Sequence, residues 1–309
     1  MMKLFRNPLA LALPAALLVG ACGDDEDPAP VDMGTPDMGT PDMGETPVDI
    51  VATAQAAGLT TLLSAATTAG LADTLATGGP FTVFAPTDDA FAALGDAVPS
   101  DAGLLANVLL HHVVSGTNDS SAVLEASSLS TLAKTSLAVD AAADPITVGG
   151  AALSGTLDVE ASNGIVHVMD EVIVPPSIPE AVAATDDLST LLTAVGASSQ
   201  TTQDALAGGP ITVFAPVNSA FEGIDLGSLD QATVDAILTY HVVSGQVLAG
   251  DLSPGMVTTA NGADVTVAID GENVTLTDGM GNVINVIETD IRLLNGTVHL
   301  IDGVLMPPE

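Results

Sequence analysis

Gly78-Gly79-Pro80-Phe81-Thr82-Val83-Phe84-Ala85-Pro86 returns as Gly208-Gly209-Pro210-Ile211-Thr212-Val213-Phe214-Ala215-Pro216. A Gly-Gly-Pro break followed by a short apolar run that ends at Pro reads as a buried strand between turns. Two further blocks repeat in the same order. His111-His112-Val113-Val114-Ser115-Gly116 returns as Tyr240-His241-Val242-Val243-Ser244-Gly245, and Asn163-Gly164-Ile165-Val166-His167-Val168 as Asn295-Gly296-Thr297-Val298-His299-Leu300. The offsets are 130, 129 and 132 residues. A period this long is a duplicated domain, since solenoid repeats run to about 20–50 residues. The copies are bounded as 48–176 and 177–309, with Pro175-Pro176 at the join and Pro307-Pro308 near the end.

Each copy has the same order. An Ala/Leu-rich helical region runs from Ile50 to Leu75 and from Ile178 to Leu206. Leu59, Leu62 and Leu63 sit at helical spacing, as do Leu188, Leu191 and Leu192. After the strand, Thr87 or Asp88 is placed to cap a helix carrying Phe91, and Asn218 one carrying Phe221. A further helix ends at HHVVSG or YHVVSG. Short strands follow, with Val265, Val267 and Ile269 alternating, and Val274 with Leu276. Helices followed by strands around one core predict α+β rather than a doubly wound parallel sheet. Phe84, Phe91, Phe214 and Phe221 are expected in the core.

The blocks TVFAPTDDAF and ITVFAPVNSAF, the YHVVSG element and the closing NGxVHxxDxVxxPP resemble the fasciclin domain, twice, over nearly all of residues 48–308. The resemblance implies helices packed on a β-wedge of mainly antiparallel strands. It also implies secreted or surface-anchored proteins associated with adhesion and matrix contacts, and no general enzymatic activity. Two departures stand in the first copy: Asp88-Asp89 replaces the usual Asn and Glu, and His111 the usual Tyr. In animal adhesion members an Asp-Ile pair before the closing Asn-Gly is linked to integrin recognition. The matching positions are Asp290-Ile291 and, in the first copy, Asp158-Val159. A bacterium meets no integrin by default, so these candidate adhesion contacts inherit a position and not a partner.

His112 and His241, with His167 and His299, recur in both copies. A zinc site needs three or four converging ligands, and each copy offers two recurrent His and no Cys. They are read as structural, with His112 and His241 at a helix C-terminus where partial positive charge is favourable. No metal or cofactor is expected. Ser115 and Ser244 follow a His by three residues, but no G-x-S-x-G elbow is present, and VVSG reads as a strand entering a turn. Asp170-Glu171 and similar pairs carry little information among 39 acids.

The chain has 309 residues, Lys+Arg 4, Asp+Glu 39 and a formal charge of −35. That balance excludes electrostatic binding of nucleic acid, which needs a basic counter-surface. The acidic surface fits a saline habitat, where salt screens repulsion. The single Cys excludes a disulfide framework. Residues 1–22 read as a secretory signal: Lys3 and Arg6, an apolar run too short to span a bilayer, then Leu18-Val19-Gly20-Ala21-Cys22. That ending resembles a bacterial lipobox, with Cys22 as the lipid attachment site. Residues 23–47, with Asp-Met-Gly at 32–34, 37–39 and 42–44, read as a disordered acidic Pro/Gly linker.

The expectation is a lipid-anchored protein of the bacterial envelope, at the outer membrane or cell surface. Its partners would be extracellular matrix, a cell-surface protein or polysaccharide. The rival is an envelope small-ligand-binding or accessory module. A flat exposed apolar patch favours the first reading and a concave apolar pocket the second.

Overall fold

The computed structural model describes residues 48–95, 99–153, 155–224, 226–271 and 273–308. The expected signal, Cys22 and the linker lie outside the described residues.

The first repeat opens with α1 (Ile50–Ala56), α2 (Thr60–Thr68) and α3 (Ala72–Thr77), then β1 (Phe81–Pro86), α4 (Asp88–Leu94) and α5 (Ala102–His111). It continues through β2 (Val113–Ser115), α6 (Ser120–Glu125), β3 (Ser128–Ser130), β4 (Ser136–Asp140), β5 (Thr147–Val148), β6 (Ala151–Ala152), β7 (Val159–Ala161) and β8 (Gly164–Met169). The second has α7 (Ile178–Ala184), α8 (Ser189–Ala197), α9 (Gln200–Ala207), β9 (Ile211–Pro216) and α10 (Gln231–Tyr240). Its strands continue as β10 (Val242–Ser244), β11 (Gly255–Thr258), β12 (Asp264–Asp270), β13 (Asn273–Thr277), β14 (Val283–Leu293) and β15 (Gly296–Ile301).

The initial helical region of the first repeat is three short helices. Gly58 and Gly70 end the first two with φ of +78° and +70°, a conformation that costs other residues more.

Most strands pair antiparallel, but the centre of each repeat does not. β1 runs parallel to β8, from Phe81 opposite Gly164 to Pro86 opposite Met169, and β9 runs parallel to β15 in the same way. The sheet orders are β2-β1-β8-β7 and, apart from it, β3-β4-β5-β6. In the second repeat the two merge as β10-β9-β15-β14-β13-β12-β11. Merging depends on the 11-residue β14, which pairs with β13 at one end and β15 at the other across register shifts near Glu288.

A central strand of this kind is buried on both faces, which explains the unbroken apolar run. Val83 and Ala85 face the helices, with Ile50, Leu62, Phe91 and Leu109. Phe84 faces the other way, with Leu137, Val148 and Met169. The second repeat splits identically, Val213 and Ala215 on the helix side and Phe214 opposite. All four recurrent Phe are buried. Gly164 and Gly296 permit the parallel crossing, since a Cβ there would collide with the carbonyl oxygen of Phe81 or Ile211.

Thr87 caps α4 as expected. Asn218 departs from expectation. It begins a short 3-10 turn, Asn218–Phe221, and its Oδ1 accepts from Thr190 N at 2.9 Å, capping α8 instead. Asp88 does the same for α2, accepting from Thr61 N at 2.8 Å and the Thr60 hydroxyl at 2.6 Å.

Candidate interaction site

The recurrent polar residues tie each repeat shut. Asn163 Oδ1 accepts from Ile50 N (2.9 Å), while its Nδ2 donates to Leu75 O (2.7 Å) and Gly78 O (2.8 Å). One side chain thereby caps the start of α1 and the end of α3. Asn295 repeats this with Ile178 N, Leu206 O and Gly208 O. Thr82 and Thr212, fully buried, donate to Gly116 O and Gly245 O at 2.8 Å and accept from Asn118 N and Val247 N. Sequence reasoning assigned these four no role, although each lies inside a recurring block.

His112 and His241 are the C-cap residues of α5 and α10. Their Nδ1 bonds Val108 O or Ile237 O at 2.8 Å, and a carbonyl oxygen only accepts, so Nδ1 carries the proton. Nε2 accepts from Ile173 N (2.8 Å) or Leu305 N (2.9 Å). The ring is therefore a neutral bridge from helix to closing segment. Burial lowers both pKa values from 6.5 to about 4. Desolvation thus keeps the ring neutral, and its Nδ1–H brings only a partial positive charge to the helix C-terminus. His111 is also pushed to about 4, by burial and then by His112, and its Nδ1 lies 2.5 Å from the Thr135 hydroxyl. Tyr240 at the matching place donates to Asp264 O at 2.8 Å.

His167 and His299 are fully buried and stack on Phe84 and Phe214, with centroids 5.4 and 5.6 Å apart. Nε2 donates to Asn118 O or Val247 O, and Nδ1 accepts from Asp158 N or Asp290 N at 3.2 Å. Burial, above all, lowers the pKa of His299. Asp158 and Asp290 adopt left-handed φ values of +58° and +63°. Their carboxylates turn back onto the chain: Asp158 accepts from Ser120 N (2.6 Å) and Ser120 Oγ (2.5 Å), and Asp290 from Ala249 N (2.7 Å). The Ser120 hydroxyl, then its N–H, hold the Asp158 carboxyl below the usual range. Val159 and Ile291 pack against the helix-side cores. The candidate adhesion pairs therefore spend their polar and apolar groups internally, although the Asp158 side chain keeps 42% of its surface exposed.

Ser120, Asp158 and His167 lie together, but the hydroxyl bonds the carboxylate and both ring nitrogens bond backbone. That is not the Ser-to-His order of a triad. The matching residue in the second repeat is Ala249. Ser115 and Ser244 end their strands, paired with Phe81 and Ile211. Among the described residues no group of three or more His, Cys, Asp or Glu could hold a metal ion.

The repeats meet. Asn107, wholly buried, donates through Nδ2 to Leu293 O (2.8 Å) and Gly296 O (3.1 Å), and its Oδ1 accepts from Gln246 Nε2 (2.8 Å). Lys134 Nζ donates to Thr289 O at 2.6 Å, and Arg292 N to Ala133 O at 2.9 Å. Asp290-Ile291 therefore lies within the stretch of β14 that joins the repeats.

One face stays unused. Across the sheet, Val283, Thr277, Thr266 and Met256 stand in register on β14, β13, β12 and β11. Ala268, Thr275, Asn285 and Ile287 extend the same face. Met256, Val283 and Ile287 are 76%, 66% and 57% exposed. None of these eight residues is charged, in a chain of formal charge −35, and the carboxylates of Asp264 and Asp270 stand at the two ends of β12 on the same face. The inner residues of the same strands, Val265, Val267, Val274 and Leu276, are buried.

A fasciclin-domain family model matches residues 57–175 and again 186–307. Human periostin is 26% identical over 266 residues, 81% of this chain and 30% of that protein. Rabbit transforming growth factor-beta-induced protein ig-h3 is 28% identical over 257 residues, 81% of this chain and 36% of its own length. The chain thus spans about a third of these relatives. The cell surface glycolipoprotein MPB83 of Mycobacterium bovis is 41% identical over 110 residues, 34% of this chain and 47% of that protein. Among solved structures, a FAS1 domain pair from the insect cell adhesion molecule fasciclin I aligns with a TM-score of 0.50 at 17% identity. It covers 82% of this chain and 98% of that one.

Proposed function

From the premise that the chain belongs to the fasciclin domain family in both of its repeats, we propose that it is a lipid-anchored surface protein. Its work is contact with extracellular matrix, a cell-surface protein or polysaccharide, without catalysis. Anchoring is through Cys22, and residues 23–47 serve as the tether. The observation that carries the reading is the block of eight uncharged residues across β11–β14, which Asp264 and Asp270 border at the two ends of β12. A protein this acidic repels most anionic surfaces at long range. An apolar, Thr-rich patch is an area where a partner desolvates little charge. The kinship with a mycobacterial cell surface glycolipoprotein supports the location.

The test is competition. Soluble protein beginning after Cys22 is added to cells, and attachment to matrix and to other cells is scored. A Met256→Ser/Val283→Ser/Ile287→Ser variant and an Asp158→Ala/Asp290→Ala variant run alongside, each checked for folding. Dose-dependent inhibition that the face variant loses is the expected result. Loss only in the Asp variant relocates the contact to the clasped loops. No inhibition by folded wild-type protein overturns the adhesion reading and favours the envelope-module alternative.

A further inference from the structure

The two repeats differ beneath their first helices. In the first, α1, α2 and α3 enclose a cavity of about 190 Å³ against β1, lined by Ala54, Leu62, Ala66, Leu75, Val83 and Leu109 among others. In the second, the same place holds only about 40 Å³. Aligned helix for helix, Ala54 stands where the second repeat has Val182, and Ala66 where it has Val195. Both valines line the smaller space. Four carbon atoms are thus missing from the first repeat, and the surrounding backbone has not collapsed to compensate.

The lining is almost wholly apolar. Its buried ionisable group, His112, is neutral with both nitrogens bonded elsewhere. No buried side-chain polar atom among the described residues lacks a partner, so nothing inside calls for a polar ligand or ordered water. The other polar side chains of the lining, Gln55 and Thr67, are exposed at its outer edge. An apolar cavity of about 150 Å³ stays dry and takes up benzene, so this one has room for a somewhat larger molecule.

We propose that the first repeat binds a small neutral apolar molecule, of alkylbenzene size, between α1, α2, α3 and β1, and that the second repeat does not. A charged ligand is disfavoured because no charged side chain lines the cavity to offset its desolvation. This rests on the cavity and its filled counterpart, and holds whether or not the adhesion reading does.

Toluene is the probe, benzoate its charged comparison, and the full soluble chain the protein. Titration calorimetry and methyl NMR are read on the wild type and on Ala54→Val/Ala66→Val, which installs the second repeat's residues. Saturable toluene binding is expected, with shifts centred on the Ala54, Ala66 and Val83 methyls and weak or absent benzoate binding. In the filled variant affinity falls by about tenfold or more, a loss of about 1.4 kcal/mol. Wild-type protein that shows no saturable toluene binding overturns the proposal. So do shifts that map to the second repeat, or benzoate binding as well as toluene. Should the double variant misfold, Ala66→Val alone and the wild-type shift map decide it.

Discussion

Acid should loosen this protein well before its carboxylates protonate, because buried histidines, His112 and His241 among them, must stay neutral to hold it together. His112 and His241 have pKa values near 4 in the folded chain against 6.5 when free, burial being the main cause. Between those values the unfolded chain binds a proton that the folded chain refuses. Stability is therefore fully present above pH 6.5, falls as pH drops towards 4, and levels below that. The slope is about 1.4 kcal/mol per pH unit for each histidine, and the full window is worth about 3 kcal/mol apiece. Relief of repulsion among the acids acts in the opposite direction, so the telling quantity is a difference between proteins. Urea unfolding at pH 7.5, 6.5, 5.5 and 4.5 would compare wild type with His112→Gln and His241→Gln. Glutamine offers a donor and an acceptor but does not titrate. Each variant should be less stable at pH 7.5 and lose about 1.4 kcal/mol per pH unit of slope. Equal slopes in variant and wild type would refute the argument, as would native His112 or His241 resonances titrating near 6.5.

Phe84→Ala and Phe214→Ala should each cost about 3–5 kcal/mol in urea unfolding, since each removes a fully buried ring together with its stacked histidine contact. Asn107→Ala strips two carbonyls and Gln246 of their partner at the seam. A loss of about 1–3 kcal/mol is expected, and calorimetry should show the repeats melting less cooperatively. The unfolding midpoint should rise between about 0.01 and 1 M salt as the acidic surface is screened; a constant midpoint would count against the saline reading.

Much of the architecture was legible because the duplicated blocks are its working parts. The GGP-strand-P block is the central strand, and the Asn-Gly-x-Val-His block is its neighbour. Their parallel pairing was not legible: a short apolar run has the same pattern whichever way its partner points. The helix break at Gly58 hid inside a continuous Ala/Leu pattern. At the site, the types of residue were visible but their directions were not. Asp158 and Asp290 read as candidate contacts, and at a left-handed backbone their carboxylates fold onto Ser120 and Ala249. The open face of the second repeat depends on the length and register of β14. No alternation in Val283, Asn285 and Ile287 distinguishes a solvent-facing row from a buried one.

The asparagine clasp also sets a timetable for synthesis. The first helix of each copy has its leading N–H satisfied by a residue more than a hundred positions downstream, Ile50 by Asn163 and Ile178 by Asn295. A chain emerging from its N-terminus leaves that bond, and the central strand pairing, unmade until the copy's last strand arrives. Each copy is thus a late-closing unit of long-range contacts, and such topologies fold slowly. The seam waits longer still, because Asn107 needs the carbonyls of Leu293 and Gly296. A nascent chain stopped short of residue 163 should be protease-sensitive throughout. One stopped between the copies should hold a closed first repeat, with Asn107 still lacking its partners across the seam.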